Sequence, residues 1–168
     1  YFLNVPYYFV SNYSLRKYAS EPLSQTGGSC VGWSVGYSAM TLTYNLNYEI
    51  VKPQHKFAAS FDPYNIYSFL RDDYDYTCDD GVYIYDALNL LKTQGIKKYI
   101  NPPFLECNTN SSTKQLEVIR DFAKNYRIKE FYRIDPKRTD AMELLKQGVY
   151  TGFPVIIGVM LDASMSEV

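Results

Sequence analysis

The sequence predicts an α+β protein in which a helical N-terminal half, built on one central helix, is followed by the first strands of a β-rich half. Three observations carry this expectation. Apolar residues recur at three- and four-residue spacing in several windows before residue 127, residues 127–134 alternate roughly between polar and apolar, and Pro154 to Leu161 form one continuous apolar run. A length of 168 residues suits a single domain.

Residues 1–28 read mostly as loop, because Pro6, Pro22, Gly27 and Gly28 interrupt any periodicity. Ser29 is an acceptable N-cap, and Trp33, Tyr37, Met40 and Tyr44 then define one face of a helix over about 30–45. Gly32 and Gly36 would each weaken this helix in isolation by up to about 1 kcal/mol, so tertiary packing has to hold it. Asp62 followed by Pro63 announces a second helix carrying Ile66, Phe69 and Leu70. A third runs from about Val82 to Gln94, with Ile84, Leu88 and Leu91 on one side and Gly95 placed for a left-handed cap. Leu116, Ile119, Ala123 and Tyr126 repeat the pattern over 112–126, and Thr139 caps a short helix containing Ala141, Met142, Leu144 and Leu145.

Composition narrows the function. With 17 basic and 18 acidic side chains the net charge is −1, which lacks the basic field that phosphate backbones require and so excludes a general nucleic-acid binder. The longest apolar run falls well short of the roughly 20 residues that span a bilayer, so no membrane span is expected and the chain reads as soluble. One histidine and three cysteines would all be needed for a four-ligand zinc site, and their spacings match no such signature. No metal or other cofactor is implied. The 18 tyrosines suit half-buried positions at the core margin. The start at Tyr1, without a charged and apolar leader, reads as a processed product or a fragment.

Chemistry concentrates in Gln25-Thr26-Gly27-Gly28-Ser29-Cys30, which places a cysteine in the first turn of a helix directly after a glycine-rich loop. Backbone N–H groups at a helix N-terminus favour a thiolate, the form that acts as nucleophile. Glycines such as Gly28, with Ser29 beside it, leave room for a substrate backbone. The Gln25 amide and the Cys30 N–H are suited to an oxyanion that develops when the thiolate attacks a carbonyl.

These residues resemble the papain-like cysteine peptidases, whose nucleophile lies in a Cys-Gly-Ser/Ala-Cys motif followed by an aromatic residue. Here the corresponding stretch is Gly27-Gly28-Ser29-Cys30-Val31. Further segments are similar in order over about 13–160: Tyr13 to Tyr18, Phe61 to Tyr67, Cys78-Asp79-Asp80-Gly81 leading to Gly95-Ile96, and Pro154 to Gly158. The resemblance implies a papain-like fold, a peptide or protein substrate, Cys30 as nucleophile, Gln25 as oxyanion donor and Gly81 on the substrate-facing side of a cleft. Trp33 is expected in the core. Three departures stand out. Gly27 replaces the family's cysteine, Gln25 lies one residue nearer the nucleophile than usual, and Val31 replaces an aromatic residue. The first removes the usual disulfide and leaves Cys78 and Cys107 to close a different bridge, worth a few kcal/mol if formed.

A thiol nucleophile needs a base, usually histidine. The single histidine, His55, falls between the first two helices and reads as a surface residue. The family's histidine follows the cysteine by roughly 130–150 residues, and none occurs over 160–168. The chain is therefore expected to stop short of the catalytic histidine and asparagine, to be inactive alone, and to be completed by a missing C-terminal part of the same domain. Two functions remain open: a cysteine peptidase acting through an acyl-enzyme, and a catalytically inactive relative that binds peptides. A Cys78–Cys107 bridge would imply a secreted, periplasmic or cell-surface location.

Overall fold

The computed structural model describes residues 14–51, 60–71, 78–99 and 120–159. A 3₁₀ turn, Arg16–Tyr18, precedes the central helix α1 over residues 30–47. Ser29 is its N-cap, since the Ser29 carbonyl accepts the first helical bond from the Trp33 N–H at 3.1 Å. The winding then loosens: Gly32–Met40 form a π-helix before Thr41–Asn47 return to α geometry. Its i→i+5 bonds lengthen each turn beyond the 3.6 residues of an α-helix. Over residues 31–40 the buried ones are therefore Val31, Gly32, Val35, Gly36, Tyr37 and Met40, so that Tyr37 and Met40 lie inside as expected while Trp33 stays partly exposed.

α2, Pro63–Leu70, begins where the sequence predicts, with the Asp62 carboxylate accepting the Tyr64 N–H at 2.9 Å and proline at the first position. It lies close against α1. A Cβ on Gly32 would come within 2.3 Å of the Pro63 carbonyl oxygen, and one on Gly36 within 2.8 Å of Ile96 Cδ1. These glycines admit the neighbouring helix, which repays their poor helix propensity.

α3, Ile84–Thr93, buries Ala87, Leu90 and Leu91. Gly95 ends it with φ +89°, its N–H reaching the Leu90 carbonyl at 3.0 Å, as a left-handed C-terminal cap requires. The chain then returns along α2, where Ile96 is fully buried and Lys98 makes an isolated antiparallel bridge to Phe61. Val31, Val35, Met40, Phe61, Ile66, Ala87, Leu90, Leu91 and Ile96 form the core. Residues 120–123 are helical, and α4, Ala141–Tyr150, buries none of its side chains.

The expected α+β, papain-like architecture is not what the structure contains. Among the described residues there is no sheet, and the Phe61–Lys98 bridge is the one β pairing. Residues 127–134 and 153–159 run without ladder partners. The reason is physical: alternation or an apolar run marks only which side chains can be buried, whereas a strand also needs a neighbour for its N–H and C=O groups. Pro154 further removes one donor. Val155 and Ile156 are instead half-buried beside α1, in the wall of a groove that also holds Ser34 and Leu42.

Candidate functional site

The loop before α1 is fixed mainly through its backbone. Gly27 has φ +59°, and a Cβ there would approach the Cys78 carbonyl oxygen to 2.2 Å. Only glycine accepts both conditions. The Gly28 N–H donates to the same carbonyl at 2.5 Å, and a Cβ on Gly28 would meet the Asp80 carbonyl oxygen at 2.3 Å. The two stretches singled out in the sequence, 25–30 and 78–81, thus lie side by side.

Side chains brace this contact from below. The Ser29 hydroxyl donates to the Thr26 carbonyl at 2.6 Å, and Ser29 is fully buried, so it acts as a cap and loop brace beneath the surface. The Tyr67 hydroxyl donates to the Asp80 carbonyl at 2.8 Å from a fully buried position on α2. Cys78 is buried and disulfide-bonded, with Arg71 Nη1 at 3.6 Å from its sulfur. Cys107, assigned to that bridge in the sequence, lies outside the described residues, as does His55.

Above these braces sits Cys30, exposed and free, in the first turn of α1. The N–H groups of a helix's first turn have no intrahelical acceptor and carry the positive end of its dipole. Gln25 is exposed at the start of the loop. Gly81 is exposed as well, and a Cβ there would meet nothing within 4 Å, which leaves an open face beside the loop.

Two features were not anticipated. The Tyr64 hydroxyl is 2.9 Å from Thr26 Oγ1, and its ring meets Trp33 edge-on at 5.9 Å. Neither contact has a local signal, since Tyr64 is far from both partners in sequence. The second is a cage around Lys98, whose Nζ lies 3.4 Å from the ring centre of Tyr44, 4.2 Å from that of Phe61 and 5.5 Å from that of Tyr126. Burial lowers the Lys98 ammonium to about 8. Beyond Cys30, a groove of about 410 Å³ runs along the Ser34, Ser38 and Leu42 face of α1, closed on its far side by Phe153 and Ile156.

Among the described residues no three histidine, cysteine or acidic side chains gather as a metal site, and no helix is long and apolar enough to cross a membrane. The chain matches no protein family, no curated protein and no solved structure.

Proposed function

We propose that the chain carries the nucleophilic centre of a cysteine-type peptidase. The observation that supports this most is Cys30 itself, an exposed, unbridged thiol in the first turn of a helix, held by a loop that glycine packing fixes against 78–80. In the proposed reaction the Cys30 thiolate attacks the carbonyl carbon of a peptide bond, forming a C–S bond and an oxyanion. The Gln25 amide and the Cys30 N–H are the donors assigned to that oxygen. Collapse of the intermediate breaks the C–N bond, the amine leaves with a proton, and water hydrolyses the thioester to free the acid and the thiol. No histidine occurs among the described residues, and none of them is assigned to exchange these protons. Gly28 and Gly81 flank the path assigned to the substrate backbone.

A peptidyl epoxide tests this reading without requiring turnover. Stoichiometric labelling of Cys30 in the full chain, faster at pH 7 than labelling of free cysteine, is the expected result. A chain that binds the peptide portion reversibly while Cys30 reacts no faster than free cysteine would instead be a peptide-binding module. The disulfide at Cys78 supports a secreted or cell-surface setting for either.

A further inference from the structure

Cys78 holds its backbone in the left-handed region at φ +62°, one of two non-glycine residues to do so among the described ones. With a Cβ this conformation is strained, and it persists where surrounding contacts impose it. Three contacts do so here. The Cys78 carbonyl accepts the Gly28 N–H at 2.5 Å, the Tyr67 hydroxyl fixes the Asp80 carbonyl two residues on at 2.8 Å, and the Cys78 side chain is tied into a disulfide. Of these three, the disulfide is the one that a redox reaction can remove.

The surroundings of the Cys78 sulfur favour one course of reduction. Cys78 is 3% exposed, so a thiolate arriving from solvent opens the bridge at its other sulfur and Cys78 becomes the leaving group. Arg71 Nη1 stands 3.6 Å from the Cys78 sulfur and donates to it. A cation there stabilises the departing thiolate, and thiol–disulfide exchange runs faster the lower the pKa of the leaving thiol. Arg71 directly follows α2, its N–H on the Tyr67 carbonyl at 2.8 Å, so one helix end carries both the brace on Asp80 and the cation beside Cys78. Cys78 itself is buried outside the Val35, Ile66 and Leu91 cluster, which its release therefore leaves in place.

We propose that the Cys78 disulfide is a thiol-operated latch on the glycine loop: closed, it keeps 78–80 packed against Gly27 and Gly28, and opened by a small thiol it lets Cys78 leave its left-handed conformation and frees the loop while the helical core stays folded. In the first step the attacking thiolate forms an S–S bond to the other sulfur of the bridge, the bond to Cys78 breaks, and Cys78 departs as a thiolate beside Arg71. A second thiolate then displaces the first from the mixed disulfide, so two thiols are oxidised to their disulfide and the bridge takes up the two electrons. Gly27 and Gly28 feel the opening directly, because close packing on the Cys78 and Asp80 carbonyls is what places them. The latch requires no chemistry of Cys30.

Native-state hydrogen exchange of the full chain, before and after reduction by dithiothreitol, reads the latch at the Gly28 N–H, with the Leu90 and Leu91 amides of α3 as the core reference. Reduction is expected to speed Gly28 exchange at least about fivefold more than that of Leu90 and Leu91, the equivalent of about 1 kcal/mol of relieved left-handed strain. Cys107→Ser, which lacks the bridge from the start, should show the reduced pattern without dithiothreitol. Arg71→Met should slow opening of the bridge by roughly three- to tenfold, and Arg71→Lys, which keeps the charge, should retain most of the wild-type rate. Gly28 exchange that is unchanged on reduction, or that accelerates no more than Leu90 and Leu91, overturns the latch and leaves the disulfide as a staple for the whole fold. A bridge that dithiothreitol does not open in the folded chain overturns it as well. Equal reduction rates for wild type and Arg71→Met overturn the part given to Arg71 alone.

Discussion

Asp62 and Lys97 form an ion pair from which water is excluded, their side chains 0% and 3% exposed. The pair ties the N-terminus of α2 to the segment that follows α3, and Asp62 also caps α2 through Tyr64. Removing one partner of such a pair leaves an uncompensated buried charge or an empty cap, a loss of about 3–5 kcal/mol. Asp62→Ala and Lys97→Met are each expected to destabilise by that order, read from urea denaturation midpoints. A change below about 1 kcal/mol for both would show that the pair does not organise the fold.

The glycines of the loop separate sharply by their surroundings. Gly27→Ala would drive a Cβ to 2.2 Å from the Cys78 carbonyl oxygen at φ +59°, and Gly28→Ala would drive one to 2.3 Å from the Asp80 carbonyl oxygen. Each should cost about 1–3 kcal/mol and slow Cys30 alkylation. Gly81→Ala meets open space and should stay within about 0.5 kcal/mol of wild type. Thermal melts of the three variants check this ordering.

Lys98 gives stability a pH dependence whose sign follows from its environment. Burial lowers the folded-state value from 10.5 to about 8, so between these pH values the unfolded chain binds more protons than the folded one. Stability therefore rises as pH increases from about 8. The three ring faces favour the ammonium form and limit the gain. Above pH 10 Tyr44 works in the opposite sense, because burial, and then Tyr126 and Tyr48, raise its pKa above the ordinary 10.0. Denaturation midpoints at pH 7, 8, 9 and 10 should climb in the wild type, and the climb should flatten in Lys98→Met.

Thiol accessibility should divide the three cysteines into one and two. Cys30 is free and Cys78 is bridged, so alkylation before reduction should add one label per chain, and alkylation after reduction three. Intact mass measures both numbers. Three labels without reduction would contradict the bridge, which is expected to contribute about 2–4 kcal/mol.

What could be read from the sequence was what local chemistry decides. Asp62-Pro63 placed the start of α2, Gly95 placed the end of α3, and Ser29 placed the start of α1. The face of α1 was legible in part: Tyr37 and Met40 are buried as expected, whereas Trp33 and Tyr44 are only partly buried, because the π-helical stretch Gly32–Met40 changes the angular step per residue and nothing in the side-chain spacing announces that change. The strands expected at 127–134 and 154–161, the latter described only to residue 159, failed for another reason: strand formation depends on a partner elsewhere, and no sheet receives them among the described residues. At the site, Cys30 and the adjoining glycines were legible as a pattern. Tyr64 was not, because its bond to Thr26 spans 38 residues and depends on how α2 docks on α1.

The account rests on Cys30 being an activated nucleophile rather than an ordinary exposed thiol. Its most direct test is the second-order rate constant for iodoacetamide alkylation of Cys30 in the intact, unreduced chain at pH 7, compared with free cysteine under the same conditions. A rate at least several-fold above free cysteine, abolished by unfolding in urea, is the result the account predicts. A rate equal to that of free cysteine in the folded chain would contradict it.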